Sequence, residues 1–249
     1  PVRIAEPFWL SKTEVTNEQY NRFNPEHNSR YINQHHKDHT TAGYPANMPE
    51  QPVIRISWHD ALAFCDWLSG EAPGATLPTE AQWEWACRAG SADMLSFGGK
   101  DADFSACANL ADASMRLLAV TGVNPQPIPN PNEYQNFLPQ DARFDDGQKI
   151  VAPVGLYQAN PWGLHDMHGN VSEWTLSAYK PYPYCGDDGR NDVNGAAKRV
   201  VRGGSWRDRP MRARSAFRLA YKPWQGVFNV GFRVAIPCEE KGEATLARQ

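Results

Sequence analysis

The sequence predicts an α+β fold in which short helices come first, short strands follow, and irregular loops outweigh both. Three observations predict it. Capped helical patterns crowd the first third, brief β-type runs separated by long polar stretches fill the remainder, and 19 glycines and 20 prolines stand among 249 residues. The length suits one domain with a sizeable core.

In order along the chain, PFWLSKTEV reads as a strand from about Phe8 to Val15. Thr16, with Gln19 three residues on, has the spacing of a capping box and starts a helix. The next strand-like run, VIRIS, ends on Ser57, a good N-cap. Ala61, Phe64, Cys65 and Leu68 then recur at helical spacing until Gly70. In LPTEAQWEWACRAG, Thr79 and Gln82 repeat the capping box and Gly90 closes the helix. Periodicity fades from about 97 to 153, where a Pro/Asn-rich stretch too long for a connector predicts an Ω-type excursion. Short strand-like runs follow: VAPVGLY, GNVSEWTLSAY, KRVVRGGSW and VGFRVAI. A single domain over 1–236 and a charged, frayed tail over 237–249 complete the expectation.

Composition excludes some functions. A net charge of −3 gives no general affinity for nucleic acid, and no apolar run is long enough to span a bilayer. Nine tryptophans imply rings packed between irregular segments more than an aromatic binding face. Five cysteines, an odd and scattered set without zinc spacing, read as free thiols. His35, His36 and His39 in HHKDH are either a transition-metal site or, as is commoner in a polar loop without a framework, solvated.

Two turns are rich in oxygen. Asp166 and Glu173 flank a Gly-Asn turn that could aim carboxylates and carbonyls at one hard cation, or could simply cap backbone amides. Asn109 and the Asp145-Asp146-Gly147 turn form a split second candidate against the same alternative.

The series PFWLSKTEVTNEQY, ISWHDALAFCDWLS, LPTEAQWEWACRAG, WGLHDMHGNVSEW, RVVRGGSW and NVGFRVA resembles the formylglycine-generating enzyme, or sulfatase-modifying factor, domain family from Pro7 to Ala235. The resemblance implies a C-type-lectin-like variant fold with a small twisted antiparallel sheet and two structural calcium ions. The first calcium would take the Asn109 side chain, the Leu110 carbonyl, Asp146 and the Gln148 carbonyl; the second would take Asp166, the Gly169 and Val171 carbonyls, and Glu173.

Catalysis does not transfer. In the oxidases of the family, two cysteines at the third and eighth positions after the serine of GGS hold copper(I), which wants soft thiolates. Here those positions are Asp208 and Ala213, so copper is not expected. The nearest cysteine in sequence is Cys185. The HxxxHxE iron motif of the related sulfoxide synthases is also missing.

From Lys198 to Arg218 eight basic residues meet one acid. Arg202, Arg214, Arg218 and Arg233 read as structural. Arg207, Arg209 and Arg212, with Trp206, Asp208 and Trp224, read as a surface for an anionic ligand or a protein partner. The expectation is therefore a non-catalytic, calcium-stabilised binding module or accessory subunit. Variable proteins of diversity-generating retroelements, altered from GGSW onward, are a special case of it. The alternative is a formylglycine-generating or related metal-dependent oxidase; a sugar-binding lectin rests on fold analogy alone. Structural calcium, and a chain that begins at Pro1 without an initiator Met, lean the expectation toward an exported protein.

Overall fold

A computed structural model describes residues 2–4, 6–32, 43–114 and 141–238. HHKDH, most of the Pro/Asn-rich excursion and the tail beyond Cys238 lie outside the described residues.

All three expected helices form, and each begins on a reciprocal capping box. α1 spans Asn17–Phe23 behind Thr16 and Gln19. α2 spans Trp58–Leu68, with Ser57 and Asp60 as the pair. α3 spans Glu80–Arg88 behind Thr79 and Gln82 and stops at Ala89, a left-handed residue followed by Gly90 at φ +88°.

The strands are shorter than the sequence pattern suggests. β1 covers only Phe8–Leu10 and pairs antiparallel with the last strand, β8 (Ala235–Pro237). β2 (Tyr31–Ile32) and β3 (Tyr44–Pro45) form a small ribbon. The central sheet has the order β6-β5-β4-β7, with β4 at Ser172–Ala178, β5 at Arg199–Arg202, β6 at Leu219–Tyr221 and β7 at Val230–Phe232. β4 and β7 run parallel, which departs from the antiparallel sheet implied by resemblance. Two other expectations fail: VAPVGLY forms no strand, and VGFRVAI breaks into β7 and β8 around Arg233 and Val234. The four-residue helix α4, Pro210–Ala213, has too few turns to show a period.

The main core packs Tyr20, Phe64, Trp58 and Trp174 between α1, α2 and the sheet. Trp58 and Trp174 are fully buried, and each donates its indole N–H to a carbonyl, of Thr175 (2.9 Å) and Ile56 (3.2 Å). These two pack as expected of core tryptophan, whereas Trp9, Trp67, Trp85, Trp162 and Trp224 are exposed. Among the described residues no helix is long and apolar enough to cross a membrane.

Candidate functional site

The structural centre is the turn Asp166–Glu173, which leads into β4. Gly169 adopts φ +91°, and a Cβ there would stand 2.1 Å from the Asn109 carbonyl oxygen. Only glycine lets the two segments meet this closely. The Asn170 N–H donates to that same carbonyl (2.9 Å), and the Gly169 N–H donates to Gly203 (2.9 Å). The Trp206 N–H donates to the Asn170 carbonyl (2.9 Å). The turn thus ties together both oxygen-rich segments and the GGSW stretch.

Around Asn109, the residues expected at the first clamp lie within one hydrogen-bonded cluster. Its amide nitrogen donates to the Ile150 carbonyl (2.8 Å) and to Asn170 Oδ1 (3.2 Å), leaving its own Oδ1 buried without a hydrogen-bond partner. Asp146 accepts from the N–H groups of Leu110 (2.9 Å) and Gln148 (2.8 Å). The Gln148 carbonyl accepts from the Ser114 hydroxyl at 2.5 Å. Asp112, which the sequence reading did not include, is fully buried and accepts from the Asp146 N–H. Burial, then the nearby Asp112 carboxylate, push the Asp146 carboxyl up to about 7.

The second cluster differs from its expected composition. Asp166, at φ +59°, accepts from the Gly155 N–H (2.7 Å) through Oδ2, while Oδ1 is buried without a partner. Glu173 is already committed: its carboxylate accepts from Arg233 Nε and Nη2 and from Trp83 Nε1, each at 2.7 Å, with both members of the ion pair fully buried. Glu14 takes its place beside Asp166. It is buried and accepts long hydrogen bonds from Asn170 Nδ2 and the Val171 N–H, both at 3.4 Å. Burial, then repulsion from Asp166 and Glu173, hold its carboxyl well above the ordinary range. The signal for Glu14 lay in KTEVTN, where an acid directly precedes Val15 and the helix cap Thr16, both buried.

Both clusters offer the hard oxygen donors that calcium takes, and each holds one buried oxygen with no partner. Among the described residues no three His, Cys, Asp or Glu side chains come close enough to hold a metal by themselves. A cation here would therefore lean on Asn109 and backbone carbonyls as well as carboxylates.

The two positions where the family resemblance would place copper thiolates, Asp208 and Ala213, are both buried. Asp208 is buried and accepts from the Ser205 hydroxyl (2.7 Å), which in turn accepts from Asn229 Nδ2 (2.9 Å). Ala213 is fully buried, and a Cβ on Gly204 would stand 2.9 Å from its Cα. Cys185, nearest in sequence, is exposed. The fold brings a different thiol toward this turn: Cys87 lies 3.5 Å from His168 Nε2 and 3.6 Å from the Ser215 hydroxyl. Burial pushes that thiol up to about 12, which keeps it protonated and a poor copper ligand.

His168 accepts from the Ser96 N–H (2.9 Å) at Nε2, so Nδ1 carries the proton and donates to the Ala213 carbonyl (2.8 Å). Burial holds its pKa down to about 4. The unfolded chain therefore binds a proton here before the native chain does, and the stability His168 confers is full above about pH 6.5 and lost as pH falls toward 4. The expected loss is about 3 kcal/mol, and His168→Gln should flatten this part of a stability profile measured by urea denaturation.

The proposed surface splits in two. Arg207, Arg209 and Arg212 are exposed, and Trp224 is 70% exposed. Arg207 stacks over Phe228 (5.1 Å), and Arg212 lies 3.6 Å from Asp208. Trp206 and Asp208 must be withdrawn as surface residues, because Trp206 packs inside against Phe228 and Asp208 holds Ser205. Their places beside arginines in sequence hid an inward-turning backbone. Arg202 pairs with Glu84, Arg218 with Glu80 and Arg233 with Glu173, as expected of structural arginines.

The domain family described as "Sulfatase-modifying factor enzyme 1-like domain" matches residues 1–238. Inactive C-alpha-formylglycine-generating enzyme 2 of mouse is 32% identical over 193 residues, covering 75% of this chain and 49% of that protein. Formylglycine-generating enzyme of Streptomyces coelicolor is also 32% identical over 193 residues, covering 75% of this chain and 53% of its own. The chain spans about half the length of these curated relatives. PvdO from Pseudomonas aeruginosa superposes with a TM-score of 0.69 at 25% identity, over 95% of this chain and 83% of its own. Since an inactive and an active relative match equally well, overall identity does not choose between them.

Proposed function

The chain belongs to the sulfatase-modifying factor enzyme 1-like domain family, and on that premise we propose that it is a non-catalytic member, acting as a binding module or accessory subunit. Its docking surface is the exposed set Arg207, Arg209, Arg212 and Trp224, offered to an anionic ligand or an acidic protein partner. One observation carries this reading: Asp208 and Ala213 stand at the copper-thiolate positions, one hydrogen-bonded to Ser205 and the other enclosed against Gly204. Oxygen and a methyl group supply no soft ligand, so the family's cysteine oxidation lacks its metal anchor. The test is incubation with copper(I), oxygen and a peptide carrying a sulfatase-type cysteine motif, read by mass spectrometry. Unchanged peptide is expected; conversion of the cysteine to an aldehyde overturns the proposal and restores the oxidase.

The same reading gives calcium a structural role at two clamps. Asn109, Asp146 and the Leu110 and Gln148 carbonyls would hold one ion. Asp166 and Glu14, with the Gly169 and Val171 carbonyls, would hold the other. The unpartnered oxygens of Asn109 and Asp166 support this, as does crowding of buried carboxylates that a cation would relieve. A structural calcium role favours an exported setting, where the ion is plentiful. Calcium at about one hundred times its dissociation constant should raise stability by about 2.7 kcal/mol, and a chelator should remove the gain. A thermal midpoint indifferent to both removes the clamps from the account.

A further inference from the structure

We propose that a groove between α3 and the Tyr182–Tyr184 loop is a second binding site, one that takes an extended acidic peptide and seats an apolar side chain between Trp85 and Tyr182. It shares no residue with the Arg207–Arg212 surface and does not depend on that reading.

The groove is a cavity of 360 Å³ whose lining includes Trp85, Tyr182, Tyr184, Ala81 and Ala216. α3 turns Trp83 into the core and Trp85, two positions on, out to 53% exposure; Tyr182 across the groove is 51% exposed. These rings are held rather than loose. Trp85 packs against Trp162 at 4.3 Å and Phe8 at 5.9 Å between ring centroids, Arg218 stacks on Tyr182 at 4.6 Å, and Arg190 stacks on Tyr184 at 4.4 Å. Rigid aromatic walls lose little conformational freedom when a ligand enters.

Charge selects the ligand. An aromatic groove with a carboxylate on its wall suits an alkylammonium ion if that carboxylate is free. Glu84 is not free, because Arg88 and Arg202 both pair with it. Behind the groove, Arg88, Arg202 and Arg218 share Glu84 and Glu80 in one chain of ion pairs, and Arg190 and Lys180 share Asp188 in a second. Guanidinium groups already cover one face of Tyr182 and of Tyr184, and Nη1 of buried Arg190 has no acceptor. The excess is positive and partly buried, so carboxylates are drawn in and cations kept out. The extended form follows from the chain itself. Val2 and Ile4, alternate residues of a non-helical stretch, line the same cavity. Two side chains spaced as in a strand thus already fit its rim.

The test uses a fluorescein-labelled hexapeptide, Asp-Phe-Asp-Leu-Asp-Phe, and its counterpart with lysine for aspartate, titrated with the full chain and read by anisotropy. The acidic peptide should bind and the lysine peptide should not, with affinity falling as salt rises. Trp85→Ala should weaken binding about tenfold or more, and Tyr182→Ala on the opposite wall should do the same if Trp85→Ala folds poorly. Trp224→Ala should leave it unchanged. No binding, equal binding of both peptides, or indifference to both wall variants overturns the proposal. Loss on Trp224→Ala instead assigns the peptide to the Arg207–Arg212 surface.

Discussion

Replacing Arg233 with alanine should lower stability by about 3–5 kcal/mol, the cost of stranding a buried carboxylate by removing its partner. Arg233 holds both oxygens of Glu173, and its remaining donors reach the carbonyls of Ser11 (3.1 Å) and His165 (2.9 Å). Glu14 and Asp166 stand close enough for their charges to be felt at Arg233, so its loss leaves three buried acids without their shared cation. For a domain of this size the thermal midpoint should fall by on the order of 10 °C. The calcium account adds a second outcome. The variant should recover more of its midpoint on calcium addition than the wild-type chain does, because the ion would then meet an uncompensated negative cluster. An equal response in the two proteins would separate Arg233 from the second clamp.

Gly169→Ala is expected to cost about 2–4 kcal/mol, as a side chain at positive φ adds strain to the clash its Cβ makes with the Asn109 carbonyl. The distinctive result lies in what else is lost. Gly169 is where the two oxygen-rich segments touch, and forcing them apart should also break the Asn170-to-Asn109 and Trp206-to-Asn170 hydrogen bonds. Calcium-dependent stabilisation should therefore shrink at both clamps. Gly163→Ala is the control: it has φ +80° but nothing within 4 Å of its Cβ, so it carries the strain without the clash. Chemical denaturation of the two variants, with and without calcium, checks the difference.

Local rules made the helices legible. Thr16, Ser57 and Thr79 announced their starts through side chains within one turn, and no distant contact was needed to fix them. The sheets were harder to read because their strands have two to seven residues and partners can lie far along the chain, as with β1 and β8 at opposite ends. A run such as VAPVGLY has strand composition but spends its backbone groups on the Asn170 side chain and on Glu50 instead of a neighbouring strand. At the site, Asn109 and Asp146 could be placed through family resemblance, whereas spacing alone left them as ordinary turn residues. Glu14 was missed because its neighbours in space come from residues more than 150 positions away. Trp206 and Asp208 were misplaced for the converse reason: exposed arginines on either side disguised a backbone that alternates inward, with Arg207 and Arg209 outside.

Copper affinity tests the central claim most directly. The apo chain, reduced and held without oxygen, is titrated with copper(I) against a bicinchoninate competitor, whose colour reports the copper it retains. With Asp208 bonded to Ser205, Ala213 enclosed and Cys87 kept protonated by burial, the chain should leave the copper with the competitor. Retention of one copper(I) per chain, abolished by Cys87→Ser, would contradict the account and place a working metal centre at the turn described here as closed.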